Sequence, residues 1–156
     1  MIALRPATCD DLDSLWALRT RAVAHACAAH YSEAVLAMWL ASPVPDSLPG
    51  LFADGFGIVA TEGDMMLGYA VWNGASGEVD GLFVEPAQHG RGIGAMLMTA
   101  IGGAAREVGC ERLFLSASLN AAPFYGRAGF IALREELYPH RSGVGIPSVF
   151  MEKWLE

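Results

Sequence analysis

Gly81-Leu82-Phe83-Val84-Glu85-Pro86-Ala87-Gln88-His89-Gly90-Arg91-Gly92-Ile93-Gly94 reads as a strand running into a phosphate cradle. Leu82 to Val84 is a short apolar, β-prone run and Pro86 ends it. Gly90, Gly92 and Gly94 then lead into an apolar helical pattern that starts at Ile93. Glycines let bare backbone approach a ligand, the first N–H groups of a helix lack intrahelical acceptors, and the helix dipole favours an anion there. Arg91 adds a fixed positive charge, so a polyphosphate-bearing cofactor is expected at this loop. Two common phosphate loops do not fit. A dinucleotide fingerprint needs a third glycine where Leu97 stands, and a P-loop needs Gly-Lys-Ser/Thr where the chain has Gly94-Ala95-Met96.

Upstream of the loop, Met65 to Trp72 and Phe56 to Thr61 read as strands joined by the turn Glu62-Gly63-Asp64. Asn73-Gly74 punctuates the next turn before a strand over Val79 to Val84, so these segments form an antiparallel meander. Val79 and Leu82 break period two around Gly81, which predicts a β-bulge. Ile2 to Arg5 is another strand candidate. Thr8 with Asp11 begins a helix carrying Leu12, Leu15, Trp16, Val23, Ala26 and Cys27 on a core stripe. A second helix starts near Ser32, and Pro43, Pro45 and Pro49 then turn the chain into a loop. Downstream, Ile93, Leu97, Ile101, Ala104 and Val108 keep helical spacing up to Gly109, and a strand over Leu113 to Ala117 brings in a parallel pairing. Asn120 is placed to cap a short helix through Tyr125, with strands opening at Phe130 and over Val149 to Leu155.

The chain has 156 residues, 53% of them hydrophobic, which suits one domain spanning 1–156 with a well-developed core. A net charge of -7 argues against nucleic acid or an anionic membrane as partner and favours cationic or neutral substrates. Arg91, Arg106, Arg112 and Arg127 nevertheless leave basic groups around the cofactor segments. The N-terminus meets Arg5 and Pro6 before any signal-peptide apolar region develops, and no apolar run approaches a membrane span, so a cytoplasmic location is expected. Cys9, Cys27 and Cys110 lie far apart in no metal-like spacing and read as structural thiols; no metal site is expected.

A second segment, Asn120-Ala121-Ala122-Pro123-Phe124-Tyr125-Gly126-Arg127-Ala128-Gly129-Phe130, completes the picture. Together with His89-Gly90-Arg91-Gly92-Ile93-Gly94 it resembles the GCN5-related N-acetyltransferases. Their acyl-CoA loop reads Gln/Arg-x-x-Gly-x-Gly/Ala after a strand, and their later motif carries Asn and Phe-Tyr-x-x-x-Gly-Phe. His89 stands at the Gln/Arg position, with Gln88 one residue earlier. The resemblance implies an α+β fold in which helices flank a mixed, largely antiparallel sheet of six to seven strands with splayed central strands. It also implies direct transfer of an acetyl group from acetyl-CoA to an amine.

On that resemblance, Tyr125 is the proton donor to the leaving sulfur and Asn120 meets or helps place the pantetheine arm. The main chain of Leu82, Phe83 and Val84 pairs with the pantetheine amides, while His89, Gly90, Arg91, Gly92, Ile93, Gly94 and Ala95 hold the pyrophosphate. Glu78 and Asp80, on the strand leading to the loop, are the two candidates for the general base, and the sequence does not choose between them. His30, Tyr31 and Trp39 are candidates for the acceptor pocket; Trp16, His25 and His140 are read as core or surface residues. A small-molecule primary amine is the expected acceptor. A protein N-terminus, held in a groove between His25 to Pro49 and a Tyr138 to Pro147 loop, and a non-catalytic acyl-CoA-binding module are the alternatives. Val149-Phe150-Met151 offers apolar surface that a homodimer could use.

Overall fold

The computed structural model describes residues 1–140 and 143–156. The chain runs β1 (Ala3–Pro6), a 3-10 turn at Cys9–Asp11, α1 (Leu12–Cys27), α2 (Glu33–Leu40), α3 (Leu48–Ala53), β2 (Gly57–Glu62), β3 (Met65–Trp72) and β4 (Val79–Val84). After a 3-10 turn at Pro86–Gln88 come α4 (Ile93–Glu107), β5 (Arg112–Ser118), α5 (Ala122–Arg127), β6 (Ile131–Pro139) and β7 (Gly145–Trp154).

The strands hydrogen-bond in two groups, ordered β1-β2-β3-β4 and β5-β7-β6, and every pair within each group is antiparallel. A parallel bridge between Glu78 and Phe114 joins them, supported by the Phe114 N–H donating to the Gly77 carbonyl at 3.1 Å. Beyond that contact β4 and β5 diverge, which is the splayed, mixed sheet the sequence implied. The bulge is present as well. Val71 faces Gly81 and Trp72 faces Val79, so Asp80 has no partner opposite it on β3.

Two apolar layers hold the sheet. On α4, Ile93, Leu97, Ile101 and Ala105 recur every four residues and are buried with Ala70 and Trp72 of β3 and Leu113 and Leu115 of β5. This helix spans the seam between the two groups of strands. On the opposite face Leu15 and Leu18 of α1 bury with Val59, Tyr69 and Val71. Burying side chains of this size contributes roughly 1.5–3 kcal/mol each before the entropy of ordering them.

Three local expectations are corrected. The proline-rich loop contains α3, because Pro49 occupies the first turn of a helix, where a missing N–H breaks no bond. Asn120 does not cap α5: the N-cap is Ala121, and the Asn120 Oδ1 instead accepts from the Cys27 thiol at 3.2 Å. Much of the Tyr138 to Pro147 loop is strand, the ends of β6 and β7, with Pro139 facing Gly145. The loop's Arg141 and Ser142 lie outside the described residues.

Candidate active site

The glycine loop departs from the strand along a backbone that only glycine adopts readily. Gly90 and Gly92 have φ of 85° and 76°, and Gly92 is the N-cap of α4. At Gly94 the need is space: an added Cβ would sit 3.0 Å from the Phe124 ring and 3.7 Å from Leu82. The Met96 N–H is the first in α4 to find a backbone acceptor, on Gly92. The amides of Gly90 to Ala95 therefore have no backbone acceptor among the described residues, as a cradle for a phosphate needs.

This cradle is one end of a cavity of about 580 Å³. Its walls include Leu82, Phe83 and Val84 of β4, then His89, Gly90 and Gly92, then Ile93, Gly94 and Ala95 at the start of α4. Asn120 and Tyr125 close its other side. Arg91 is absent from this wall, since its guanidinium makes a two-pronged ion pair with Glu62 at 2.7 and 3.1 Å and also donates to Gln88. Arg127 supplies the cation instead. Arg112 is committed elsewhere, pairing with Glu152 at 2.6 Å. His89 is exposed at the mouth, its ring edge-on to His25 with centroids 5.7 Å apart.

A second cavity of about 400 Å³ lies on the far side of the splay. Glu78, Asp80, Tyr125 and Trp39 all border it. The two cavities share Trp39, Leu82, Phe83, Ser118, Ala121 and Tyr125, so they meet where β4 parts from β5. Tyr125 is buried at this junction, its hydroxyl makes no hydrogen bond among the described residues, and burial raises its pKa. Burial also pushes the Cys27 thiol, in the wall of the larger cavity, up to about 11.

Asp80 keeps an exposed surface and borders the smaller cavity. Burial raises its carboxyl, to about 7, and the charge and hydrogen bonding of Glu78 push the same way. The bulge thus puts a carboxyl that titrates near neutrality beside the junction, as proton abstraction from an ammonium requires.

His30 and Tyr31 line neither cavity. His30 is exposed, and the Tyr31 hydroxyl donates to the Pro147 carbonyl at 2.6 Å while accepting from the Leu119 N–H at 2.9 Å. Tyr31 fastens the end of α1 to β7 and to the segment before α5. The smaller cavity also takes Trp16, Arg19 and Tyr69, none of which sequence reasoning put in the site, and Tyr138 and His140, which it placed only in the groove for a peptide acceptor. Arg19 left one signal: a cation one residue from Leu18 and three before Ala22, inside a buried apolar stripe.

Comparison with known proteins agrees with this geometry. A model of the acetyltransferase (GNAT) domain matches residues 27–155. No curated protein matches the chain. Among solved structures, the GCN5-related N-acetyltransferase of Rhodopseudomonas palustris superposes with a TM-score of 0.85 at 27% identity, covering 98% of this chain and 95% of that one. The PaiA N-acetyltransferase of Thermoplasma acidophilum, solved with coenzyme A, shares the fold at TM-score 0.75, 17% identity and 99% coverage of both chains. YncA of Salmonella typhimurium, a structure with acetyl-CoA, gives 0.72 at 21% identity, covering 100% of this chain and 95% of that one. A strand that leaves its neighbour beside a glycine cradle, a buried tyrosine at the parting and a family model over most of the residues converge on one conclusion: the chain belongs to the GNAT family of N-acetyltransferases.

Proposed function

We propose that the chain, residues 1–156 acting as one cytoplasmic domain, moves an acetyl group from acetyl-CoA to the primary amine of a small molecule, directly and within a ternary complex. The observation that carries this reading is the meeting of two cavities at Tyr125. One fits a phosphate-bearing cosubstrate and the other an acceptor, with no covalent relay needed between them.

In this reading the amides of Gly90, Gly92, Gly94 and Ala95 hold the pyrophosphate, with Arg127 beside them. Arg91, turned to Glu62, stiffens the loop. The free edge of β4 at Leu82 to Val84 receives the pantetheine as an added strand would, and a main-chain N–H there polarises the thioester carbonyl. Asp80, with Glu78 beside it, takes the proton from the ammonium. The amine lone pair then attacks the carbonyl carbon, the N–C bond forms as the C–S bond breaks, Tyr125 protonates the departing thiolate, and the proton shed by the new amide nitrogen returns to the Tyr125 phenolate. Its buried, neutral phenol suits a donor role. Asn120, tied to Cys27, helps keep the pantetheine channel in shape.

A cavity of about 400 Å³ roofed by Trp39 and the β6–β7 hairpin favours a small acceptor over an extended peptide. The test is release of free CoA thiol from acetyl-CoA over panels of small amines and of peptides with free N-termini. Turnover with small amines supports the proposal. Faster turnover of peptides would replace the acceptor class, and cosubstrate binding without turnover on either panel would point to a non-catalytic module.

A further inference from the structure

The smaller cavity carries opposite charges on two different elements. At one end stand Glu78 and Asp80, with the Tyr138 phenol near them: burial raises its pKa, and the charges of both acids push the same way. At the other stands Arg19, in the middle of α1 and only 3% exposed. Its guanidinium lies 4.3 Å above the Trp16 ring and donates to the Trp39 carbonyl at 2.9 Å and to Thr20 Oγ1 at 3.4 Å. These contacts aim the group along the roof of the cavity, and a guanidinium keeps its charge at any pH the protein meets.

The two poles are spatially distinct. Arg19 acts electrostatically on Tyr69 and on Cys27, whereas Asp80 responds to burial and to Glu78. Tyr69 faces Phe83 across the ladder, three residues from Asp80 along β4. Between them the walls are aromatic: Trp16, Trp39, Tyr69 and Phe83. Apolar walls lower the local dielectric, so charges beside them are screened less than in bulk water.

We propose that the acceptor is amphoteric: a small amine that carries a carboxylate on the same molecule, with its ammonium at Glu78 and Asp80 and its carboxylate at Arg19. This rests on the N-acetyltransferase reading of the site. A plain ammonium would meet only the acidic end, and a plain carboxylate only the other. A zwitterion satisfies both and, having no net charge, is not repelled by a protein of net charge -7. The buried cation thus becomes a selectivity device: it favours acceptors with an acidic group and fixes which end of the molecule reaches the thioester.

The test compares matched probes that differ only in the carboxylate: tryptophan against tryptamine, and 6-aminohexanoate against hexylamine. With the wild-type protein and acetyl-CoA, kcat/KM is expected to favour the carboxylate member of at least one pair by about tenfold or more, the scale of one charge-assisted contact. Arg19→Gln should bring that ratio towards one, and Arg19→Lys, which keeps the charge without the fork, should preserve part of it. Melting temperatures of both variants show whether α1 still folds. Calorimetric titration of the same four probes into CoA-saturated protein supplies a readout that needs no chemistry. Arg19-dependent binding of a carboxylate probe without turnover would sink the catalytic reading and keep the dipolar site. Turnover with no carboxylate preference in either pair, or equal losses for both members in Arg19→Gln, would overturn the dipolar site and leave catalysis standing.

Discussion

At the scale of single residues, the proposed reaction divides its proton transfers between Tyr125 and Asp80. Tyr125→Phe keeps the ring that packs edge-on to Phe124 and Phe130 and removes only the hydroxyl. Steady-state kinetics should therefore show kcat down by about 100-fold, the lower range of general acid catalysis, with the Kd for acetyl-CoA within about threefold of wild type. An unchanged kcat would remove Tyr125 from the chemistry. In the proposed reaction Asp80 sets the pH dependence. Its carboxyl is raised, to about 7, so below that pH it is protonated and idle, and above it is charged and able to accept a proton. The kcat/KM profile should rise through about pH 7 and level off, and Asp80→Asn should remove that limb while lowering the plateau. An identical limb in the variant would hand the role to Glu78. The same shift has the opposite sign for stability. Because the folded state favours the neutral form, Asp80 contributes less as pH climbs from the ordinary carboxylate range towards 7.

At the scale of elements, the hinge between β4 and α4 is the most exacting piece of backbone. Gly92→Ala forces a Cβ into a left-handed conformation and should cost about 1–2 kcal/mol of stability, read from the urea midpoint. Gly94→Val instead collides with the Phe124 ring. Calorimetry should then show acetyl-CoA binding weakened by about tenfold or more, because Phe124 and the cradle cannot both keep their places. An affinity unchanged by Gly94→Val would mean that the phosphate lies elsewhere. This hinge was legible from the residues alone, as were β3, β4 and the bulge, because glycine spacing and hydrophobic period are local signals. α3 was not, since proline in a first helical turn and proline in a loop look alike until the flanking Leu48, Leu51 and Phe52 find a common core. The acceptor end was the least readable part. Arg19 on α1 and Tyr138 on β6 are far apart in sequence, and only the fold brings them to one cavity. Tyr31 shows the converse error: a polar aromatic at a helix junction suggested a pocket residue, while its hydroxyl is spent on two backbone groups.

At the scale of the whole molecule, the edge of the sheet is tied to α1 by charge. The Arg5 guanidinium grips both Asp11 oxygens at 2.8 and 3.0 Å, and the Thr8 N–H donates to the same carboxylate at 2.9 Å. These bonds hold Asp11 down to about 2, and a lowered acid stabilises the fold above its ordinary pKa and stops doing so as pH falls through the lowered one. Between about pH 4 and pH 2 the protein should lose on the order of 1–2 kcal/mol from this site, an allowance that discounts the half-exposed Arg5. Asp11→Asn should show that loss already at pH 7 and flatten the melting-temperature curve between pH 4 and 2. A curve parallel to wild type would place the acid sensitivity elsewhere. The division of the strands has one more consequence. β1 to β4 are complete by Val84, and β5 to β7 do not begin until Arg112. A ribosome building the chain from its N-terminus therefore delivers the glycine cradle and the first half of the sheet before Tyr125 has been synthesised. The candidate site is assembled where the older half of the polypeptide meets the younger, and a nascent fragment short of α5 lacks the wall that Phe124, Tyr125 and Arg127 give the larger cavity.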